Sequence, residues 1–427
     1  MIMAMMKSSN TEWLGDIPAE WDVAQIGNYY ELRNEKVSDY DFEPLSVTMK
    51  GIVTQLATAA KSDDHSNRKL VKKGDFVINS RSDRRGSCGI SLLDGSVSLI
   101  NIVMEPRGEM NPQYYNWLFH TEQFADEFYK WGHGIVDDLW TTRWQEMKKI
   151  LIVAPSPDEQ QAIADYLDET CSKIDEIIAE AKASIDEYKE LKKSVITNIT
   201  THGLRDVSLI NSGNMDIGMI PDTWSICKTL YGLAMPITDG PHVTPELLDD
   251  GIAFISAEAV SCGRGSIDFN HMRGYISEEF YNECCKKYVP QRDDIYMIKS
   301  GATTGTVSIV DTDRKFTIWS PLAVFRVNRD RLNPRYLFYF LQSKPYQQQV
   351  QLGWTFGTQQ NIGMRTLEQL KICLPPLGEQ AEIVEYLDNK LPQIDSLITE
   401  KESLINDLEA YKKSLIYEVV TGKRKVV

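Results

Sequence analysis

Between Ile163 and Ile199, apolar or near-apolar side chains recur at steps of three and four. They are Ile163, Leu167, Cys171, Ile174, Ile178, Ala181, Ile185, Tyr188, Val195 and Ile199, with one position missing near Lys192. About 220 residues later the same frame returns in Ile383, Leu387, Leu391, Ile394, Ile398, Ile405, Leu408, Leu415 and Val419. A sustained 3/4 spacing predicts a helix whose apolar stripe packs against another helix, as in a coiled coil. Ile177, Leu191, Leu397 and Leu404 lie beside the stripe and widen it beyond what one helical partner covers. Proline is tolerated at the first position of a helix and breaks its interior. Pro392 therefore predicts a short helix at about 378–390 and a long one from about 392 to 420, with the same division near Thr170–Ser172 in the first copy.

The duplication extends beyond the helices. "APSPDEQQAIADYLD" (154–168) is answered by "PPLGEQAEIVEYLD" (375–388), and Lys192-Lys193-Ser194 by Lys412-Lys413-Ser414. Upstream, "WLGDIPAEW" (13–21) is answered by "DIGMIPDTW" (216–224), and "NPQYYNWLF" (111–119) by "NPRYLFYFL" (333–341). "KKGDFVINSRSDRRGSCGI" (72–90) corresponds to "PQRDDIYMIKSGATTGTVSIV" (290–310). Short β-rich runs such as "GDFVINS" and "LAVFRV" predict mixed globules. The fold class expected is α+β: two globular mixed α/β domains, 1–156 and 204–376, and two helical segments, 157–203 and 377–427. The helices would form an intramolecular antiparallel coiled coil with a pseudo-twofold internal repeat, and 200–214 would be the linker between halves. Trp21 and Trp224 are expected as core anchors at the domain openings.

Charge changes the picture once it is placed along the chain. The net charge is −15, which by itself argues against a nucleic-acid partner. The segments 158–200 and 379–418 each carry a surplus of about six acidic charges, so the globules are close to neutral and can present a basic loop. No apolar run approaches the ~20 residues of a membrane span. The opening "MIMAMMKSSN" is too short for a signal-peptide core, so a cytoplasmic location with no membrane association is expected. The seven cysteines and six histidines are scattered without ligand spacing, which predicts reduced thiols and no metal site.

No enzyme emerges from the motifs. "NPQY" and "NPRY" lack the second proline of the adenine-methyltransferase motif [DN]PP[YF]. They are expected as helix starts, with Asn111 and Asn333 capping and Pro112 and Pro334 at the first position. No Gly-rich strand–helix start marks a site for S-adenosylmethionine or a dinucleotide. "SGATTGTV" (300–307) lacks the Gly-Lys-Ser/Thr of a phosphate loop and predicts a turn between strands.

What remains is polar loop chemistry. "NSRSDRRGS" (79–87) gathers Asn79, Arg81, Arg84 and Arg85, with Lys72 just upstream; arginine forks suit guanine edges and phosphates. "WGHGIVDDLWTTRW" (131–144) adds His133 and Arg143. The second globule offers Lys299, Ser300, Thr303 and Thr304, then Thr358, Gln359, Gln360 and Asn361 in "GWTFGTQQNIG"; Gln and Asn can read adenine. Taken one by one, such residues suit solvated turns better; as a set of loops they are the candidate DNA contacts.

With these residues assembled, the chain resembles the specificity subunit of type I restriction–modification systems. The resemblance rests on the two "EQ…I…YLD…ID…I" helices (Glu159–Ile178 and Glu379–Ile398), the "G-x-I-P-x-x-W" openings and "SGATTG". It implies two target recognition domains, each reading half of a bipartite site in double-stranded DNA, with the coiled coil setting the spacer. It implies no catalytic site in this chain. S-adenosylmethionine would be on two modification (methyltransferase) subunits docked on the helices, and ATP and Mg on restriction/translocase subunits. "SDRRGS" departs from "SGATTG", which leaves the first domain's contacts less defined. Two other functions compete with this reading: a self-contained DNA adenine methyltransferase, disfavoured by the two altered motifs, and a coiled-coil adaptor without DNA, disfavoured by large globules with polar loops.

Overall fold

A computed structural model of the chain describes residues 5–57, 65–134, 140–356 and 360–426. The chain divides into two compact units, Met1–Lys182 with Glu402–Val427, and Ala183–Lys401. Each unit holds one globule, one part of the first long helix (Pro157–His202) and one part of the second (Leu377–Val420).

Within each unit the two helical segments run antiparallel. In the first, Lys412 Nζ lies 2.6 Å from Asp175 and Lys182 lies 3.9 Å from Glu409. In the second, Lys192 Nζ lies 2.7 Å from Asp395 and Arg205 lies 2.7 Å from Glu382. The stripe read from the sequence forms the buried face. Ile163, Leu167, Cys171, Ile174, Ile178, Ala181, Ile185 and Ile199 are all buried, as are Ile383, Leu387, Leu391, Ile394, Ile398, Ile405, Leu415 and Val419. Tyr188, Val195 and Leu408 are only half-buried. Near the end of the first helix Ile196 and Thr200 take the inner position instead of Val195. There the helix packs on the globule, where Tyr336 donates its hydroxyl to the carbonyl of Thr200 at 3.1 Å.

Two boundaries differ from the sequence expectation. Leu377–Val420 is one 44-residue helix with Pro392 inside it, and Pro157–His202 is one 46-residue helix without a division at Thr170–Ser172. Pro392 points to solvent while Leu391 and Ile394 beside it are buried. Apolar packing on that buried side holds the helix through the interruption. The segment 200–214 is not a plain linker either. It contains the helix end and the strand Leu209–Asn211, which pairs with Met219–Pro221.

The globules share a frame. In the first unit a four-stranded antiparallel sheet has the order Cys88–Ile90, Phe76–Asn79, Asn101–Pro106, Tyr30–Leu32. In the second the order is Val307–Ile309, Ile295–Ile298, Leu322–Phe325, Thr238–Asp239. Ile295–Ile298 and Leu322–Phe325 are buried throughout, as unbroken apolar runs require of strands covered on both faces. A two-stranded ribbon ties each globule's opening to the start of a long helix: Asp22–Gln25 with Leu151–Ala154, and Ser225–Lys228 with Lys371–Leu374. Between these shared parts the units diverge. The first inserts the hairpin Leu45–Thr48 and Gly51–Thr54. The second inserts the helices Ala257–Cys262 and Glu278–Cys285 and a sheet with one parallel pair, Ile252–Ile255 on Phe316–Ile318.

Candidate nucleic-acid interface

The repeated "EQ…YLD" residues brace the globules against the helices. Trp21 donates its indole N–H to Glu159 Oε1 at 3.2 Å, and Trp224 donates to Glu379 Oε2 at 2.9 Å; both rings are buried, as expected of core anchors. Gln160 and Gln380 are almost wholly buried and clamp backbone groups on either side. Gln160 accepts from Asn111 N at 2.8 Å and donates to the Pro155 carbonyl at 2.8 Å. Gln380 accepts from Asn333 N at 2.7 Å and donates to the Pro375 carbonyl at 2.8 Å. Asp168 accepts from Trp117 at 2.8 Å and Gln113 at 3.0 Å, and Asp388 accepts from Arg335 at 2.6 Å and from the Tyr339 hydroxyl.

"NPQY" and "NPRY" open helices, with the prolines in the first turn. The Asn111 side chain accepts from the amides of Gln113 and Tyr114, and Asn333 from those of Arg335 and Tyr336. Tyr114 and Tyr336 are fully buried, and their hydroxyls bond the carbonyls of Val420 (2.7 Å) and Thr200 (3.1 Å). Burial pushes both phenols well above their ordinary pKa. Rings fixed in this way anchor helix ends and leave no open face to stack on a base.

The candidate loops are held by one backbone arrangement in both units. In the first, Ser82 N donates to Trp140 O (3.1 Å) and Thr142 N to Ser80 O (3.0 Å). In the second, Gly301 N donates to Gln360 O (3.0 Å) and Ile362 N to Lys299 O (2.9 Å). Arg81 bridges Thr141, as Ser300 bridges Asn361. Segments some 60 residues apart in sequence are thus brought side by side at the end of a strand pair.

In the first unit this assembles Asn79, Arg81, Arg84, Arg85, His133 and Arg143. Asn79 ends its strand and accepts the Arg81 amide at 3.1 Å. Arg81 Nε lies 3.0 Å from Asp83, Arg85 pairs with Asp126, and Arg84 is the most exposed of the three arginines at 68 %. His133 and Arg143 are exposed. Lys72 stands apart from this group. It lies in the turn at the opposite end of the strand Phe76–Asn79, at least ~13 Å away for four residues of strand.

In the second unit the turn between Ile295–Ile298 and Val307–Ile309 carries Ser300, Thr303 and Thr304 beside exposed Gln360 and Asn361. Thr304 donates its hydroxyl to the Gly301 carbonyl at 2.7 Å, so its side chain shapes the turn. Thr358 and Gln359 lie outside the described residues. Lys299 points inward, 13 % exposed, with its Nζ 3.3 Å from Asp239.

Lys299, Lys287 and His242 gather around Asp239, and apart from Lys299 these were not legible as candidates: "TDGPH" matches no motif, and Lys287 is 48 positions from Asp239. On the helices, Ile177, Leu191, Leu397 and Leu404 are exposed by 45, 47, 40 and 38 %. Among the described residues no helix is long and apolar enough to cross a membrane, and no group of three or more His, Cys, Asp or Glu is placed to hold a metal ion.

Comparison with known proteins follows the same lines. A family model described as the type I restriction modification DNA specificity domain matches residues 251–409. The type I restriction enzyme MjaVIII specificity subunit of Methanocaldococcus jannaschii is 22 % identical over 442 residues, covering 100 % of this chain and 98 % of its own length. A solved chain, described for complex assembly and conformational transition of the type I R-M system, superposes with a TM-score of 0.72 at 16 % identity, covering 96 % of this chain and 99 % of that one. The HsdS subunit from Thermoanaerobacter tengcongensis superposes with a TM-score of 0.53 at 17 % identity, covering 98 % and 100 %.

Proposed function

We propose that this chain, which belongs to the type I restriction–modification specificity subunits, reads a bipartite duplex with one polar loop cluster per unit and performs no chemistry itself. The observation that carries the reading is the doubled backbone brace. The same hydrogen-bond pattern presents "NSRSDRRGS" with His133 in one unit and "SGATTG" with Gln360 and Asn361 in the other. A common scaffold with different side chains is what two unlike half-sites require, since base edges are distinguished by the donor and acceptor groups presented to them.

The exposed Ile177, Leu191, Leu397 and Leu404 are the side chains on which two modification subunits would dock, since they are apolar and stand on an otherwise acidic helix surface. S-adenosylmethionine would reside on those subunits, and ATP and Mg on restriction/translocase subunits. The place of action is the cytoplasm, where the host DNA lies. The buried, hydrogen-bonded Tyr114 and Tyr336 support a chain that does not methylate by itself.

Two measurements test this. Labelled S-adenosylmethionine is expected to bind the assembled complex and not the isolated chain. Methylated sites mapped with the reconstituted complex are expected to show two defined half-sites around an undefined spacer. Methyl transfer by the purified chain alone, or a single undivided motif, would overturn the reading.

A further inference from the structure

Asp239 closes the edge strand Thr238–Asp239 of the second unit's sheet, and its side chain is 2 % exposed. Three cationic or potentially cationic groups from separate segments converge on it. Lys287 Nζ lies 2.5 Å from Oδ1, while Lys299 Nζ and His242 Nε2 lie 3.3 and 3.2 Å from Oδ2. Burial raises the carboxyl's pKa, but the two lysines outweigh it and hold the group below the ordinary aspartate value. The turn that follows is packed closely on its neighbour. A Cβ on Gly240 would come within 2.1 Å of the Ile318 carbonyl, so the backbone lies directly on the neighbouring strand.

One carboxylate held by two lysines leaves a surplus cation. Lys287 is 51 % and His242 71 % exposed, so the surplus faces solvent. Lys287 and Asp239 also line a cavity of about 270 Å³ walled by Phe280, Tyr288 and Ile318. Low-dielectric walls focus the field of such a charge outward. Glu283 borders the same cavity and is paired with Lys286. Lys299 carries the cluster directly to the base of the "SGATTG" turn, whose backbone is tied to Gln360 and Asn361.

We infer that the Asp239 cluster is a clamp for a phosphate of the duplex backbone, with Lys287 as the contacting cation, Asp239 as the positioning residue, and Lys299 linking the clamp to the base-reading turn. The inference rests on the reading of the chain as a DNA specificity subunit. It adds a site whose role is affinity and register, because phosphate contacts position a protein on the duplex and carry no sequence information.

The test uses the full chain assembled with its modification subunits. Lys287→Met keeps the apolar stem and removes the charge, and Lys287→Arg keeps the charge. Binding is measured across a salt series on the target duplex and on one with the second half-site scrambled. Each phosphate contact contributes about 0.9 to the slope of log K against log salt. Lys287→Met is expected to flatten the slope by about that amount on both duplexes. From 50 to 200 mM salt the wild type then loses about 3.5-fold more affinity than the variant. Lys287→Arg is expected to restore the slope. An unchanged slope would reduce the cluster to a structural staple. A loss confined to the intact target would make Lys287 a base contact. Either result overturns the clamp. A wild-type complex that prefers no duplex at all would instead overturn the reading beneath it.

Discussion

Lys192 is ion-paired with Asp395, Nζ to Oδ1 at 2.7 Å, at the position where the apolar stripe of the first helix is interrupted. The duplicate of this pair, Lys412 with Asp175 at 2.6 Å, sits at the equivalent interruption of the second helix. Both lysines are about three-quarters buried at the side chain, against partners at least half exposed. A cation at a seam position costs stability and specifies alignment, because only one register gives it a carboxylate.

A double-mutant cycle on Lys192→Ala and Asp395→Ala is therefore expected to give a small coupling, about 0.2–1 kcal/mol, as for half-exposed pairs. Urea unfolding at low salt and at 1 M salt checks it. The coupling should largely vanish at high salt, and a coupling above that range would mean that the pair is more desolvated than its exposure indicates.

Gln380→Ala should be far more damaging. Gln380 is fully buried and satisfies the Asn333 amide and the Pro375 carbonyl, which lose that partner once it is gone. A cost of about 1–3 kcal/mol is expected for each group left unpaired, with a matching loss for Gln160→Ala in the other unit. Thermal unfolding measures both; a shift no larger than that of an exposed Gln→Ala control would contradict the bracing role.

Glu substitutions at Ile177 and Leu397 should release the modification subunits and leave the chain folded, because both side chains are already 40 % or more exposed. Size-exclusion chromatography of the mixed subunits, with circular dichroism of the variant alone, distinguishes the two effects. A complex that assembles normally would place docking elsewhere.

Arg84→Ala should weaken or relax one half-site, by about 1–3 kcal/mol for a lost base contact. Of the three loop arginines Arg84 is the most exposed and lies 3.7 Å from Asp83, whereas Arg85 is paired closely with Asp126. Gln360→Ala should affect only the other half-site. Binding to duplexes altered in one half-site at a time tests both. A uniform loss over both halves would identify phosphate contacts instead.

The duplication, the helix frame and the helix starts at Asn111 and Asn333 were legible in the sequence, because they depend on local rules. A 3/4 spacing fixes which side of a helix is apolar, and an Asn-Pro pair fixes where a helix can begin, whatever the rest of the chain does. Local rules failed where packing outweighed them. Pro392 remains inside one helix because Leu391 and Ile394 are held on the buried side, and Val195 yields its place to Ile196 where the helix packs on the globule. The candidate loops were legible as polar stretches but not as neighbours. Only tertiary structure ties residues near 80 to those near 141, and residues near 300 to those near 361. Asp239 and Lys287 were beyond the sequence altogether, and Lys299 was legible as a loop residue but not as the inward-facing partner of Asp239. A buried carboxylate obtains its charge partners from whichever segments the sheet and the following helix bring within 4 Å, and linear spacing holds no record of that approach.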